Sequence, residues 1–113
     1  MNVYDEAHNL QTAIRESEEF KRFDAARQKL EQNPELKSMM DDFMKKQMDV
    51  QAKQMLGQEV GPEALASVQE LMGIINQDPV ASEYLQCSMR LSIMMKDVYE
   101  IIGEGIGGSG QVL

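Results

Sequence analysis

Asp5 and His8 stand three residues apart, a spacing that puts a carboxylate and an imidazole on one face of a helix. A Glu-x-x-His pair is a di-iron ligand pattern when two copies converge with two further glutamates. Here there is one copy, with Asp in place of Glu, and His8 is the only histidine. A solvated histidine and no metal are expected. Cys87 is the only cysteine, set between Gln86 and Ser88. A thiol nucleophile needs an activating base or charge beside it, and no local signature supplies one, so a half-buried structural cysteine is expected. A single cysteine also excludes an intrachain disulfide framework and a multi-cysteine zinc or iron–sulfur site within one chain. Met40, Met44 and Met48 form an i,i+4 ridge, with Met39 and Phe43 beside it. Thioethers suit copper(I) or an adaptable partner groove; packing in a core or a dimer interface is the expectation. Arg15, Arg22 and Arg90 with their neighbouring glutamates suit a small helical enzyme acting on an anionic metabolite through preorganised charge, and this is the alternative reading. Surface ion pairs account for the same residues. No GxxxxGK[ST], GxGxxG, HExxH or GxSxG occurs. GEGIGGSG near the C-terminus has no strand before it and no helix after it, so it is not a phosphate loop. No catalytic residue, cofactor or metal is expected.

The elements that carry these residues are helical. The chain has 113 residues, 42% of them hydrophobic, with 10 methionines, no Trp and few β-branched residues. That mix suits helices packed through Leu, Met and Ala more than sheets. No apolar run reaches the roughly 18 residues that span a bilayer. The polar, acidic start from Met1 to Asp5 is unlike a secretory signal, and a cytoplasmic location is expected. The net charge is −8, and residues 55–113 hold eight acids against two bases, Arg90 and Lys96. Nucleic-acid binding needs a basic stripe that releases counterions; Lys45, Lys46 and Lys53 are interleaved with Asp41, Asp42 and Asp49, so they read as a solvated face of i,i+4 pairs (Asp41–Lys45, Asp42–Lys46, Asp49–Lys53).

Val3, Ala7, Leu10 and Ile14 form one helical stripe. Ser17 is a plausible N-cap for a second segment, with Glu18 and Glu19 in its first turn and Phe20, Phe23, Ala26 and Leu30 as its stripe. Asn33-Pro34 opens a helix to Leu56, where Gly57 ends it. Gly61-Pro62 opens the next, with Leu65, Val68, Met72 and Ile75 in a heptad-like seam. Asp78-Pro79 opens the last, predicted to run to Ile102. Its stripe is Ala81, Tyr84, Ser88, Leu91, Met95, Val98 and Ile102, widened by Leu85, Met94 and Ile101. Residues 1–102 thus read as a single helical domain, and 103–113, with five glycines, as a flexible tail.

The fold class is therefore all-α: an elongated bundle of about four to five helices. Two long helices with apolar sides exceed what the thin N-terminal helices can cover, and such bundles pair about a two-fold axis. A homodimer is expected. Met40, Phe43, Met44, Met48, Tyr84, Leu91, Met95, Val98 and Ile102 are the candidate core or dimer-interface residues. Other protein partners fit this reading; direct nucleic-acid or membrane binding does not. A holdase working through the methionine ridge is a third class.

Ser17-Glu18 opens the second segment, Phe43 is followed by Gln47, Gln51 and Gln54, then Gly57, and Asn76-x-x-Pro79 leads to Tyr84-Leu85. With these marks the order of elements over about residues 3–102 resembles the Com_YlbF family of bacterial YlbF, YmcA and YheA proteins. The resemblance implies an all-α dimer without known enzymatic activity. It also implies relatives that act in competence, sporulation and biofilm formation, in a complex that assists RNase Y in processing mRNA. YlbF-type members carry cysteines, including a C-terminal cluster, that help hold iron–sulfur. GIGGSGQVL has none, so the chain looks closer to the YheA type and the cluster does not carry over.

Overall fold

A computed structural model describes residues 2–107. They form five helices and no strand: α1 (Val3–Glu16), α2 (Glu18–Glu31), α3 (Pro34–Met55), α4 (Pro62–Gln77) and α5 (Pro79–Glu104). Each start has a local cause. Asn2 Oδ1 accepts from the N–H groups of Tyr4 (2.8 Å) and Asp5 (3.3 Å), satisfying donors that the first turn leaves open. Ser17 serves two helices. Its N–H closes α1 on the Ile14 carbonyl at 3.1 Å, and its hydroxyl oxygen accepts from the Phe20 N–H at 3.2 Å to cap α2. Asn33 and Asp78 accept from Leu36 N–H (3.2 Å) and Ala81 N–H (3.0 Å), with Pro34 and Pro79 next in line. Gly61 precedes Pro62 without a side-chain cap.

Helix α3 stops at a left-handed residue. Gly57 has φ +72°, which costs a side chain with a Cβ roughly 1–2 kcal/mol. The Gln58 N–H reaches the Lys53 carbonyl at 2.9 Å and the Gly57 N–H reaches Gln54 at 3.2 Å, the paired bonds of a Schellman turn. Helix α5 runs two residues past Ile102, and Gly103 lies buried within it. The rest of the expected tail from residue 108 onward lies outside the described residues.

The described residues gather into two compact units, residues 2–26 with 85–107, and residues 27–84. In the second unit α3 packs on α4. Its core holds Met40, Phe43 and Ile75, all fully buried, with Leu30 and Ala81. Removing side chains of this size from water stabilises by about 1.5–3 kcal/mol each. Lys46 Nζ donates to Ser67 Oγ across the α3–α4 contact at 3.1 Å. Lys29 and Glu83 make a looser pair at 3.9 Å. In the first unit the buried side chains are Ala26, Leu85 and Cys87, and the rings of Phe20 and Phe23 meet at 6.5 Å between centroids. Helix α1 has no buried residue; Leu10 and Ile14 are half-buried, while Val3 and Tyr4 are exposed. A 14-residue helix is marginal alone in water, so α1 depends on cover for its stripe.

Candidate interaction surface

The nine residues singled out from sequence fall into three environments. Met40 and Phe43 are core residues of the second unit. Met44, Tyr84, Leu91, Met95 and Val98 are half-buried. Met48 and Ile102 are exposed, at 70% and 40%. The methionine ridge is therefore not one environment. Successive members of an i,i+4 row advance about 40° around a helix, and two steps turn Met48 out of the face on which Met40 is buried. Tyr84 titrates above its ordinary range, chiefly because burial penalises the phenolate and then because the Asp41 carboxylate opposes it. Asp41 is in turn held by Lys37, Nζ to Oδ2 at 3.0 Å, a bond that raises the lysine's own pKa. Asp41 thus pairs one turn back and not with Lys45; the expected pairs Asp42–Lys46 (3.0 Å) and Asp49–Lys53 (3.4 Å) both form.

Asp5 and His8 are both exposed on α1. Among the described residues no group of three or more His, Cys, Asp or Glu is placed to hold a metal ion. Cys87 is buried at 7% exposure, deeper than the half-buried state expected of it. It lines a cavity of about 250 Å³ with Glu18, Glu19, Arg22 and Arg90. Two of the three arginines that suited an anion-handling enzyme therefore do meet. Two carboxylates line the same cavity, and Arg22 already faces Glu18 at 3.8 Å. The lining is charge-balanced, which gives an anionic substrate little net attraction.

On the outward face of α5 the sequence marked Ile101 but not Met89 or Ile93. Met89, Ile93 and Ile101 are 57%, 59% and 66% exposed. They belong to one i,i+4 row, 89-93-97-101, interrupted by Asp97. That spacing was available in the sequence. Tyr99 and Ile106 are also exposed at the end of the helix. Among the described residues no helix is long and apolar enough to cross a membrane.

The fold and these surfaces define an all-α protein whose uncovered features are helix faces. A family profile described as "Control of competence regulator ComK, YlbF/YmcA" matches residues 3–107, and the chain belongs to this Com_YlbF family. It is similar to a UPF0342 protein of Caldicellulosiruptor bescii, 44% identical over 105 residues that cover 93% of this chain and 88% of the relative. A UPF0342 protein of Symbiobacterium thermophilum is 39% identical over 104 residues, covering 92% and 93%. Among solved structures, a "Protein of Unknown Function (DUF964) from Bacillus stearothermophilus" superposes with a TM-score of 0.74 at 22% identity, over 92% of this chain and 91% of that one. The all-α fold is thus shared with that solved structure.

Proposed function

We propose that this chain is a non-catalytic regulatory protein of the cytoplasm that works as a homodimer and holds other proteins through helix faces. One observation carries the reading: apolar side chains stand uncovered on opposite sides of α5, Met89, Ile93 and Ile101 on one and Ile102 on the other. Exposed apolar surface of this kind marks interaction sites. The family's description as a regulator of competence supports the regulatory role. Leu91, Met95, Val98 and Ile102 of α5, with the half-buried stripe of α1, form the surface assigned to the second copy; the exposed Met48 of α3, in the other unit, is a separate candidate. The finer role is an adaptor linked to RNase Y-dependent mRNA processing, and through it to competence, sporulation or biofilm control.

Sedimentation equilibrium at micromolar concentration tests the dimer. A 25.6 kDa species, twice the 12.8 kDa chain, is expected, and Ile102→Asp should weaken its association at least tenfold, about 1.4 kcal/mol. A monomer throughout the range would overturn the dimer. For the adaptor role, transcript ends mapped by sequencing in a deletion strain should shift at the sites that RNase Y depletion alters. Unchanged ends would remove that link.

A further inference from the structure

The outward face of α5 differs from its dimer-assigned side in charge. Along it run Met89, Arg90, Ile93, Lys96, Asp97, Glu100, Ile101 and Glu104, all exposed. From Asp97 to the helix end the face holds three acids and no base. Among the described residues none of Asp97, Glu100 and Glu104 has an ion-pair partner. The last turn of α5 holds no basic residue, so these carboxylates also sit at the negative end of the helix dipole, where cations are favoured. A surface recess of about 410 Å³ is lined by Asp97, Glu100, Ile101 and Glu104. A second, of about 290 Å³, is lined by Glu19, Arg90, Ile93, Met94 and Asp97. Aliphatic anchors one or two turns apart, flanked by unpaired acids, match the requirements of helix-in-surface recognition.

We propose that this face binds a basic amphipathic helix of another protein, with its aliphatic ridge on Ile93 and Ile101 and its Lys or Arg flank against Asp97, Glu100 and Glu104. The proposal rests on the regulatory reading and names the chemistry of the partner. Charge decides between occupants. A second copy would bring its own net −8, and from Asp97 onward this face offers it only acids. A cationic helix supplies the compensation that the chain itself lacks there, and complementary charge steers encounter and sets the choice of partner. The face from Met89 to Glu104 is about 24 Å long at 1.5 Å per residue, enough for four turns of a partner helix.

The test uses the full chain and a fluorescein-labelled synthetic helix of about 18 residues, roughly five turns, with leucines at i, i+3, i+4 and i+7 and lysine or arginine on the flanks. Anisotropy should report micromolar binding that weakens with salt. The triple variant Asp97→Asn, Glu100→Gln, Glu104→Gln should bind at least tenfold more weakly. The charge-matched control Glu16→Gln, Glu59→Gln, Glu70→Gln should stay within twofold of the native chain. Ile93→Ala with Ile101→Ala should also weaken binding, and circular dichroism should show every variant fully helical. Equal losses for triple and control would mean attraction to bulk charge and would overturn the proposal. So would equal binding of a glutamate-flanked version of the peptide, or no binding at all. Because the dimer is assigned to the other side of α5, the triple variant should sediment as the native chain does. Loss of peptide binding with an intact dimer removes this face alone, whereas a monomer that still binds the peptide removes the dimer and leaves the face.

Discussion

Lys46 of α3 and Ser67 of α4, 21 residues apart, are joined by a 3.1 Å hydrogen bond from the ammonium to the hydroxyl. The same ammonium donates to Asp42 at 3.0 Å, so the carboxylate orients the lysine that reaches across to α4. The bond ties α3 to α4 in the unit that holds the buried Met40, Phe43 and Ile75.

Ser67→Ala should lower stability by about 0.5–1.5 kcal/mol, the usual net value of one such bond. Lys46 keeps Asp42, so no charge is stranded. Asp42→Asn should give a smaller loss, because Lys46 can still reach Ser67. Urea midpoints compared at one protein concentration check both. An unchanged midpoint for Ser67→Ala would show that water replaces the bond at no cost.

The methionine row supplies a contrast within one helix. Met40→Ala empties volume in the core and should cost about 2–5 kcal/mol. Met48→Ala, measured under conditions where the chain is monomeric, should stay within about 0.5 kcal/mol. Similar losses at the two positions would contradict the burial difference between them.

That contrast shows what the sequence could and could not say. Asn33-Pro34, Gly61-Pro62 and Asp78-Pro79 announce helix starts because capping and proline chemistry are local; each predicted start is where a helix begins. Gly57 announces a stop for the same reason. Periodicity marks the side of a helix, and Met40, Met44 and Met48 do share a row. It does not mark where that row winds out from under its neighbour, so their different burial was not legible. Gly103 reads locally as a helix breaker, yet it lies buried inside α5; its surroundings, and not its propensity, decide. The outward face of α5 was readable as a row but not as an exposed one, because exposure depends on which other helices lie alongside.

Tyr84 gives the fold an alkaline limit. Its folded pKa lies above the unfolded value near 10, so the neutral phenol's contribution is fully present below about pH 10 and is lost as pH rises through the folded pKa. Lys37, raised by its hydrogen bond to Asp41 and by that carboxylate's charge, acts in the same direction. Thermal midpoints should fall more steeply between about pH 10 and 11 for the native chain than for Tyr84→Phe. Parallel slopes would show that burial does not hold the phenol neutral.

The single thiol of Cys87 is hidden in the folded chain, and this makes the protein its own stopwatch for breathing. A disulfide-exchange dye added to native protein reacts only when residue 87 comes open. When reclosing outruns labelling, the slowing relative to a free thiol equals the equilibrium constant for that opening. Cys87 belongs to the unit that also contains α1, whereas Met40, Phe43 and Ile75 lie in the other. Labelling faster than global unfolding allows would mean that the unit with the α5 faces opens while the α3–α4 core stays shut. Since the dye can be added at any protein concentration, the same trace would show by how much a second copy or a bound helix slows the clock.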